Sequence, residues 1–315
     1  MPALRRPTNQ FALLLLVMVS MACSTASLTA PTNPAQRVLT QVANKQAVRV
    51  ENVTFDDDLD FTALTAYPET KSVARVWIEV PLFFSNCTFN GRVVAFRQQG
   101  DTTILCHFGR NLTFVNCRFN NDTRFQSVNV VGITSFSQSH FNRSVSFEGA
   151  QFGAEAYFDN ALFAAEARFQ QATFGQMASF WKSVWAGVGY MQGATFRGDA
   201  QFNLTDFRSN LDFSLCTTDG LLNFNYAQLQ GRGRFDNTRF RRAVDFSKAT
   251  LGEAYFEEAY FADKALFVGT SCQILSFERF FFLTQHPVLE LDKTKQPTIL
   301  SLAGARVASG HTPMP

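Results

Sequence analysis

Residues 147–174 read FEGAQFGAEAYFDNALFAAEARFQQATF, and the spacing of the phenylalanines in them decides the fold. They stand at Phe147, Phe152, Phe158, Phe163, Phe169 and Phe174, in alternating steps of five and six. The steps continue through Phe180, Trp185, Met191, Phe196, Phe202, Phe207, Phe213, Thr218, Phe224, Leu229, Phe235, Phe240 and Phe246, so fifteen of nineteen register positions are Phe. Only Thr218 is not large and apolar. Two residues before most of these positions stands a small side chain, as at Ala150, Ala156, Ala161, Ala167, Ala172 and Ala178. A helix needs apolar residues three and four apart and a flat strand needs unbroken alternation, so neither element accounts for the pattern. A chain that runs extended for three residues, with the small residue and the Phe both inward, and then turns a corner does account for it. Two sides of five and two of six residues close one square coil of 22. Such a coil buries its apolar positions only by stacking on its neighbours. Gly149, Gly153, Gly175, Gly193 and Gly198 fall at the corners, where backbone of positive φ is expected.

With FEGAQF, FQQATF and FRGDAQF as its typical units, the chain resembles the pentapeptide repeat family in its Phe-rich variant of eleven-residue period. The resemblance runs from about Phe84 to Phe282 and implies an all-β fold, a right-handed quadrilateral parallel β-helix. It implies little about activity. One role known in the family is mimicry of the shape and negative charge of duplex DNA, which shields a type II topoisomerase from inhibitors. That role demands a strongly anionic rod. Residues 84–282 carry 18 Lys plus Arg against 17 Asp plus Glu, which argues against it and against nucleic acid as a partner.

The register also sets the boundaries. Backward it passes Phe141, Phe136, Val130, Phe125, Phe119, Phe114 and Phe108 and loses step between Phe89 and Phe108; forward it tightens to fives at Phe267, Cys272, Phe277 and Phe282. Residues 84–282 are thus the β-helix, 47–83 an N-terminal β cap or first coils, and 283–315 a loop, a partial coil and a tail. An open last coil would expose strand edges, so either the loop around Pro287 or a second copy, in a homodimer through the C-terminal end, is expected to cover it.

At the other end, Arg5 and Arg6 precede the apolar run Phe11–Val19, and Ser20, Met21, Ala22 and Cys23 follow. This is a signal peptide over residues 1–22, too short in its apolar part to span a bilayer. Cys23 after Ala22 resembles a bacterial lipobox, although Ser20 stands where Leu is usual, so lipid attachment at Cys23 and simple cleavage after Ala22 both remain open. A lipid there would anchor the protein to a membrane without a spanning helix. Residues 23–46, rich in Ser, Thr, Pro and Asn, read as a flexible tether. The expected location is the periplasm or the outer face of a bacterial membrane.

Chemistry-bearing residues are sparse. Cys87, Cys106, Cys117 and Cys216 stand two before register positions and read as inward fillers, with Cys87 and Cys106 nearly one coil apart as a candidate disulfide. No CxxC occurs and His107, His140, His286 and His311 are scattered, so no metal or cofactor is expected. Asp56, Asp57, Asp58 and Asp60 lack the turn glycine of a calcium loop and read as a solvated turn. No catalytic residue emerges, because GxSxG, HExxH and phosphate-cradling loops are all missing and Asp199, Asp206, Asp212, Asp219, Asp236 and Asp245 are spread around the coils. The stretch from Cys216 to Leu222 is the expected place for a bulge. Arg232, Arg234, Arg239, Arg241 and Arg242 form a candidate anion- or partner-binding patch. The expectation is a non-enzymatic scaffold that meets an unknown envelope protein, with a secreted carbohydrate-binding or carbohydrate-cleaving β-helix as the alternative.

Overall fold

The computed structural model describes residues 33–279, 281–282, 290–291, 299–301, 303 and 306–307. Their backbone winds into a parallel β-solenoid with four walls. One coil shows the construction: Ala156–Tyr157 lies on the first wall, Leu162–Phe163 on the second, Ala167–Arg168 on the third and Thr173–Phe174 on the fourth. Ala156 then pairs with Ala178, Ala178 with Ala200 and Ala200 with Leu222, a repeat of 22 residues. The first wall is an 11-stranded sheet, the fourth belongs to a 13-stranded sheet, and the second and third share an 18-stranded sheet. They share it because Gln228–Arg234, Thr250–Tyr255 and Ser271–Ser276 run as single strands around the corner between them.

The register residues fill the interior. Phe158, Phe180, Phe202, Phe224 and Phe246 form one column with neighbouring ring centroids 4.7–4.9 Å apart and nearly parallel planes, which is the spacing of strands in a sheet. Rings from different walls meet edge to face, as Phe158 does Phe169 at 5.2 Å and 88°. Phe158 and rings like it thus meet others in both of the arrangements the ring quadrupole favours. The small inward residues are chosen by hydrogen bonding as well as size. Where Ala is replaced by a hydroxyl, Ser139 Oγ donates to the Phe114 carbonyl at 2.9 Å, Thr205 Oγ1 to that of Phe180 at 2.9 Å and Thr238 Oγ1 to that of Phe213 at 2.8 Å. At these three positions a polar atom enters the core paired, whereas the buried hydroxyls of Thr123, Thr134 and Thr218 have no hydrogen-bond partner.

Several expectations are corrected. Residues 34–43 are not a flexible tether but an α-helix, α1 (Pro34–Ala43), whose Ala35, Val38 and Val42 are buried in the same core as Phe55 and Phe61. Asn33 caps it, accepting from the Ala35 backbone N–H at 2.8 Å, and Pro34 opens it. The register lapse before Phe108 comes from a hairpin that leaves the coil, Phe96–Gln99 antiparallel to Thr102–Leu105; an earlier hairpin pairs Ala66–Pro68 with Val73–Ile78 inside the segment 47–83, which forms the first coil. Cys216–Leu222 keeps regular pairing, with Thr217 opposite Thr195 and Leu222 opposite Ala200, and the register shift falls instead between Leu229 and Arg232. Of the five corner glycines, Gly149 and Gly193 adopt positive φ. Gly198 serves close approach instead, since a Cβ there would stand 2.5 Å from the Gln176 carbonyl carbon. Most left-handed corners are held by other residues, among them Asn160, Lys182, Leu204 and Tyr226. Cys23 and the signal segment 1–22 lie outside the described residues, as do most residues of the 283–315 segment and with them the question of how the last coil is covered.

Candidate functional site

The two hairpins widen the fourth wall at its N-terminal end into a ledge. Val73–Ile78 pairs in parallel with Thr103–Phe108, so the strand alternation that turns Val76 and Ile78 inward turns Arg75 and Trp77 outward. Trp77 lies opposite His107 with ring centroids 4.4 Å apart, and Tyr67 lies opposite Arg75. Trp77 is 48% and Tyr67 59% exposed, unusual for aromatics in a chain whose other rings are so largely interior. Arg75 grips Glu69 with two bonds, Nε to Oε1 at 2.6 Å and Nη2 to Oε2 at 2.9 Å. A groove of about 400 Å³ runs between Glu69, Arg75, Trp77, His107 and Gln151.

The titrations at this groove are set by its neighbours. Hydrogen bonding from Arg75 holds Glu69 below the usual carboxylate range. Burial, aided by the Arg75 charge and opposed by Glu79, pushes His107 below its ordinary value. Glu69 is therefore ionised and His107 favours its neutral form near neutrality. Beyond the ledge the outward row of the fourth wall continues His107, Asn129, Gln151, Thr173, Thr195, Thr217, with Arg239 next. It is a flat strip of amides and hydroxyls with a tryptophan at one end.

The arginine patch is not brought together as one cradle. Arg232 and Arg234 belong to a strand of the second and third walls and Arg239 to the fourth, so the intervening corner points them apart. Arg232 pairs with Glu253 at 3.0 Å, Arg234 with Asp236 at 2.9 Å and Arg241 with Asp219 at 3.0 Å. The candidate disulfide is likewise not formed by Cys87 and Cys106, which approach different sheets: Cys87 directly precedes Thr88–Phe89 in the 18-stranded sheet and Cys106 sits within Thr102–Phe108 in the 13-stranded one. Both are free and buried. The acidic run is more than a solvated turn: Asp58 pairs with Arg92, Asp60 with Arg97 and the Thr62 hydroxyl, Asp56 accepts from Asn90, and Asp57 from Asn33 at the start of α1. Among the described residues no group of three His, Cys, Asp or Glu is placed to hold a metal ion, and no helix is long and apolar enough to cross a membrane.

The sequence pattern described as pentapeptide repeats (9 copies) matches residues 105–151 and 136–184. Residues 105–184 are pentapeptide repeats. Among solved structures, the chain is similar to trypsin-treated QnrB1, a plasmid-mediated fluoroquinolone resistance protein, at 16% identity over 64% of this chain and 91% of that one, TM-score 0.25. It is also similar to HetL, a pentapeptide repeat protein involved in heterocyst differentiation regulation from the cyanobacterium Nostoc sp. strain PCC 7120, at 12% identity over 76% and 96% of the two chains, TM-score 0.19. Likeness at that level carries no functional weight. No protein with a curated description matches.

Sequence reading missed Trp77, Tyr67 and Arg75 as a group. The signal was present in VARVWIEV, where strict alternation puts Trp77 on the side opposite Val76 and Ile78. What the sequence lacked was any mark that a hairpin would bring Tyr67 to the same face.

Proposed function

We propose that this protein is a non-enzymatic, exported scaffold of the bacterial cell envelope, held to a membrane by a lipid on Cys23, that offers the Trp77 ledge and the strip beyond it to a partner. The observation that carries the reading is the outward Trp77 beside Tyr67 on a rigid parallel wall. Large aromatics fixed by a sheet lose little freedom on binding and are the side chains on which association energy concentrates. The basic head and apolar run before Cys23 support export.

A second reading has its own support. An amide and hydroxyl strip next to a tryptophan is chemistry that suits a neutral saccharide chain, with hydrogen bonds to its hydroxyls and ring stacking on its apolar face. Cleavage of such a chain requires one carboxyl kept protonated as the acid. Glu69 is held in the opposite state by Arg75.

The test has two arms. Mass spectrometry of the mature N-terminus from envelope fractions is expected to find Cys23 as the first residue, carrying acyl chains; a protein that begins at Met1 in the cytosol would overturn export and anchoring together. A photo-crosslinking residue at position 77 is expected to join one envelope protein in intact cells, and the same residue at Thr195, midway along the strip, to join it weakly. Retention on a neutral glycan column, lost in Trp77→Ala, with no protein adduct from intact cells, would decide for the saccharide reading instead.

A further inference from the structure

Cys87 and Cys117 occupy the same inward position in consecutive coils, each directly before a strand, Thr88–Phe89 and Arg118–Phe119, that pairs with the other in parallel register. The Arg118 backbone N–H donates to the Cys87 carbonyl at 2.8 Å, a normal ladder bond. Residues so placed have Cα atoms about 4.8 Å apart, and a disulfide bridges Cα separations of about 4.4–6.8 Å. The side chains point the same way: the Cys87 thiol donates to the Val50 and Ser85 carbonyls at 3.6 and 3.4 Å, and the Cys117 thiol to those of Phe84 and Val115, the equivalent carbonyls one coil on, at 3.7 and 3.5 Å. Neither Cys106 nor Cys216 has a sulfur beside it, since their partners in register are Val76 for the first and, across the Arg239 N–H, the Thr238 position for the second.

Both cysteines are buried, directly beneath an opening in the surface. A groove of about 200 Å³ opens over the pair, bounded by Asn86, Arg118, Gln138 and His140. The neighbouring Cys117 thiol draws the Cys87 thiol down to about 7, while the same neighbourhood and burial hold Cys117 above the ordinary thiol range. One sulfur is thus ready to attack as thiolate and the other waits as thiol.

We propose that Cys87 and Cys117 are a disulfide-forming pair that staples the second coil to the third, closed by exchange with a low-molecular-weight disulfide. The Cys87 thiolate attacks one sulfur of that disulfide and expels the other as a thiolate, which takes up a proton. Cys117 then loses its proton to water and its sulfur attacks Cys87 in the mixed disulfide, releasing the second small thiol. Two protein thiols are oxidised to one disulfide and the small disulfide is reduced to two thiols, so electrons and protons balance. The inference is independent of the partner surface.

The experiment equilibrates the reduced full chain against a series of glutathione buffers of rising oxidised fraction, blocks free thiols in denaturant and maps the peptides. The expected result is a linked peptide pair containing Cys87 and Cys117, a mass lower by two hydrogen atoms, and an upward shift of the unfolding temperature that reductant abolishes. Cys117→Ser is expected to stop at a glutathione adduct on Cys87. It should fold, because Ser139 fills the same position one coil later, buried, with its hydroxyl on the Phe114 carbonyl. Both thiols remaining free through the whole series, in protein shown to be folded by circular dichroism, overturns the proposal, and so does a link from Cys87 to any other cysteine.

Discussion

The inward Phe positions do not all carry equal weight, and the difference follows from what each ring touches. Phe174 stacks on Phe152 at 5.0 Å and on Phe196 at 4.8 Å and is fully buried, so Phe174→Ala leaves a cavity that its locked neighbours have little freedom to fill. A loss of about 3–5 kcal/mol is expected in chemical denaturation. Thr218 is the opposite case. It stands in the same column above Phe196, buried, and its hydroxyl has no hydrogen-bond partner. Thr218→Val removes the orphan at nearly constant volume and is expected to raise stability by about 1 kcal/mol. A fall in stability would mean that an ordered water serves the hydroxyl. His107 makes a prediction about pH. Burial lowers its pKa in the folded chain, so the unfolded chain binds more protons between the folded value and the unperturbed one of about 6.5. Stability from this group is complete above that unfolded value and is lost as pH falls through the folded one. His140 has the same sign for the same first cause. The unfolding temperature is expected to fall between neutrality and pH 5, and to fall less steeply in His107→Gln; identical slopes would remove His107 from the account.

At the scale of elements, the solenoid was legible because each Phe reports its wall directly, whereas the pieces that interrupt it were not. In PAQRVLTQVA the apolar residues Ala35, Val38 and Val42 lie three and four apart, a helical stripe, but a short one that follows a stretch of Ser, Thr and Pro. Its place was decided by something local sequence does not encode, the need to cover the open end of the core over Phe55 and Leu59. The hairpin from Phe96 to Leu105 was visible only as a lapse in register, because its outgoing arm Phe96–Gln99 pairs only with the returning arm, which alone pairs with the coil below. The ledge was illegible for the same reason, being made where two such excursions meet. If α1 is a cap and not a passenger, Val38→Asp should do more harm than any exposed change on the helix. It sets an unpaired charge against the end of the Phe column, and the expected outcomes are a drop of several kcal/mol and self-association in sedimentation. Asn33→Ala removes the cap and the exposed bond to Asp57 but leaves the apolar face intact, and is expected to cost about 1 kcal/mol without association.

Over the whole molecule the decisive quantity is how charge is distributed on a rod whose interior holds almost none. The positive and negative side chains of the repeat region nearly balance, 18 against 17. Many are also paired locally, Arg168 with Glu166, Arg208 with Asp206 and Arg241 with Asp219, so the field of one cancels that of the other within a few ångströms. Such exposed pairs add little to stability. Their effect here is on recognition, because a surface of alternating sign presents no extended potential to a distant ion or protein. A duplex-DNA mimic works through the reverse arrangement, a continuous negative field that a DNA-binding cleft reads at range. This rod should therefore leave DNA gyrase unprotected from a fluoroquinolone in a supercoiling assay, and should not compete with DNA for the enzyme at low salt, where electrostatic competition is strongest. Changing Arg168, Arg208, Arg232, Arg234 and Arg241 together to Gln would strip the pairs and leave their carboxylates unopposed. If competition then appears at low salt and fades as salt rises, the neutral surface is what excludes the wild-type chain from that role; if the wild-type chain itself competes, charge is not what selects the partners of this fold.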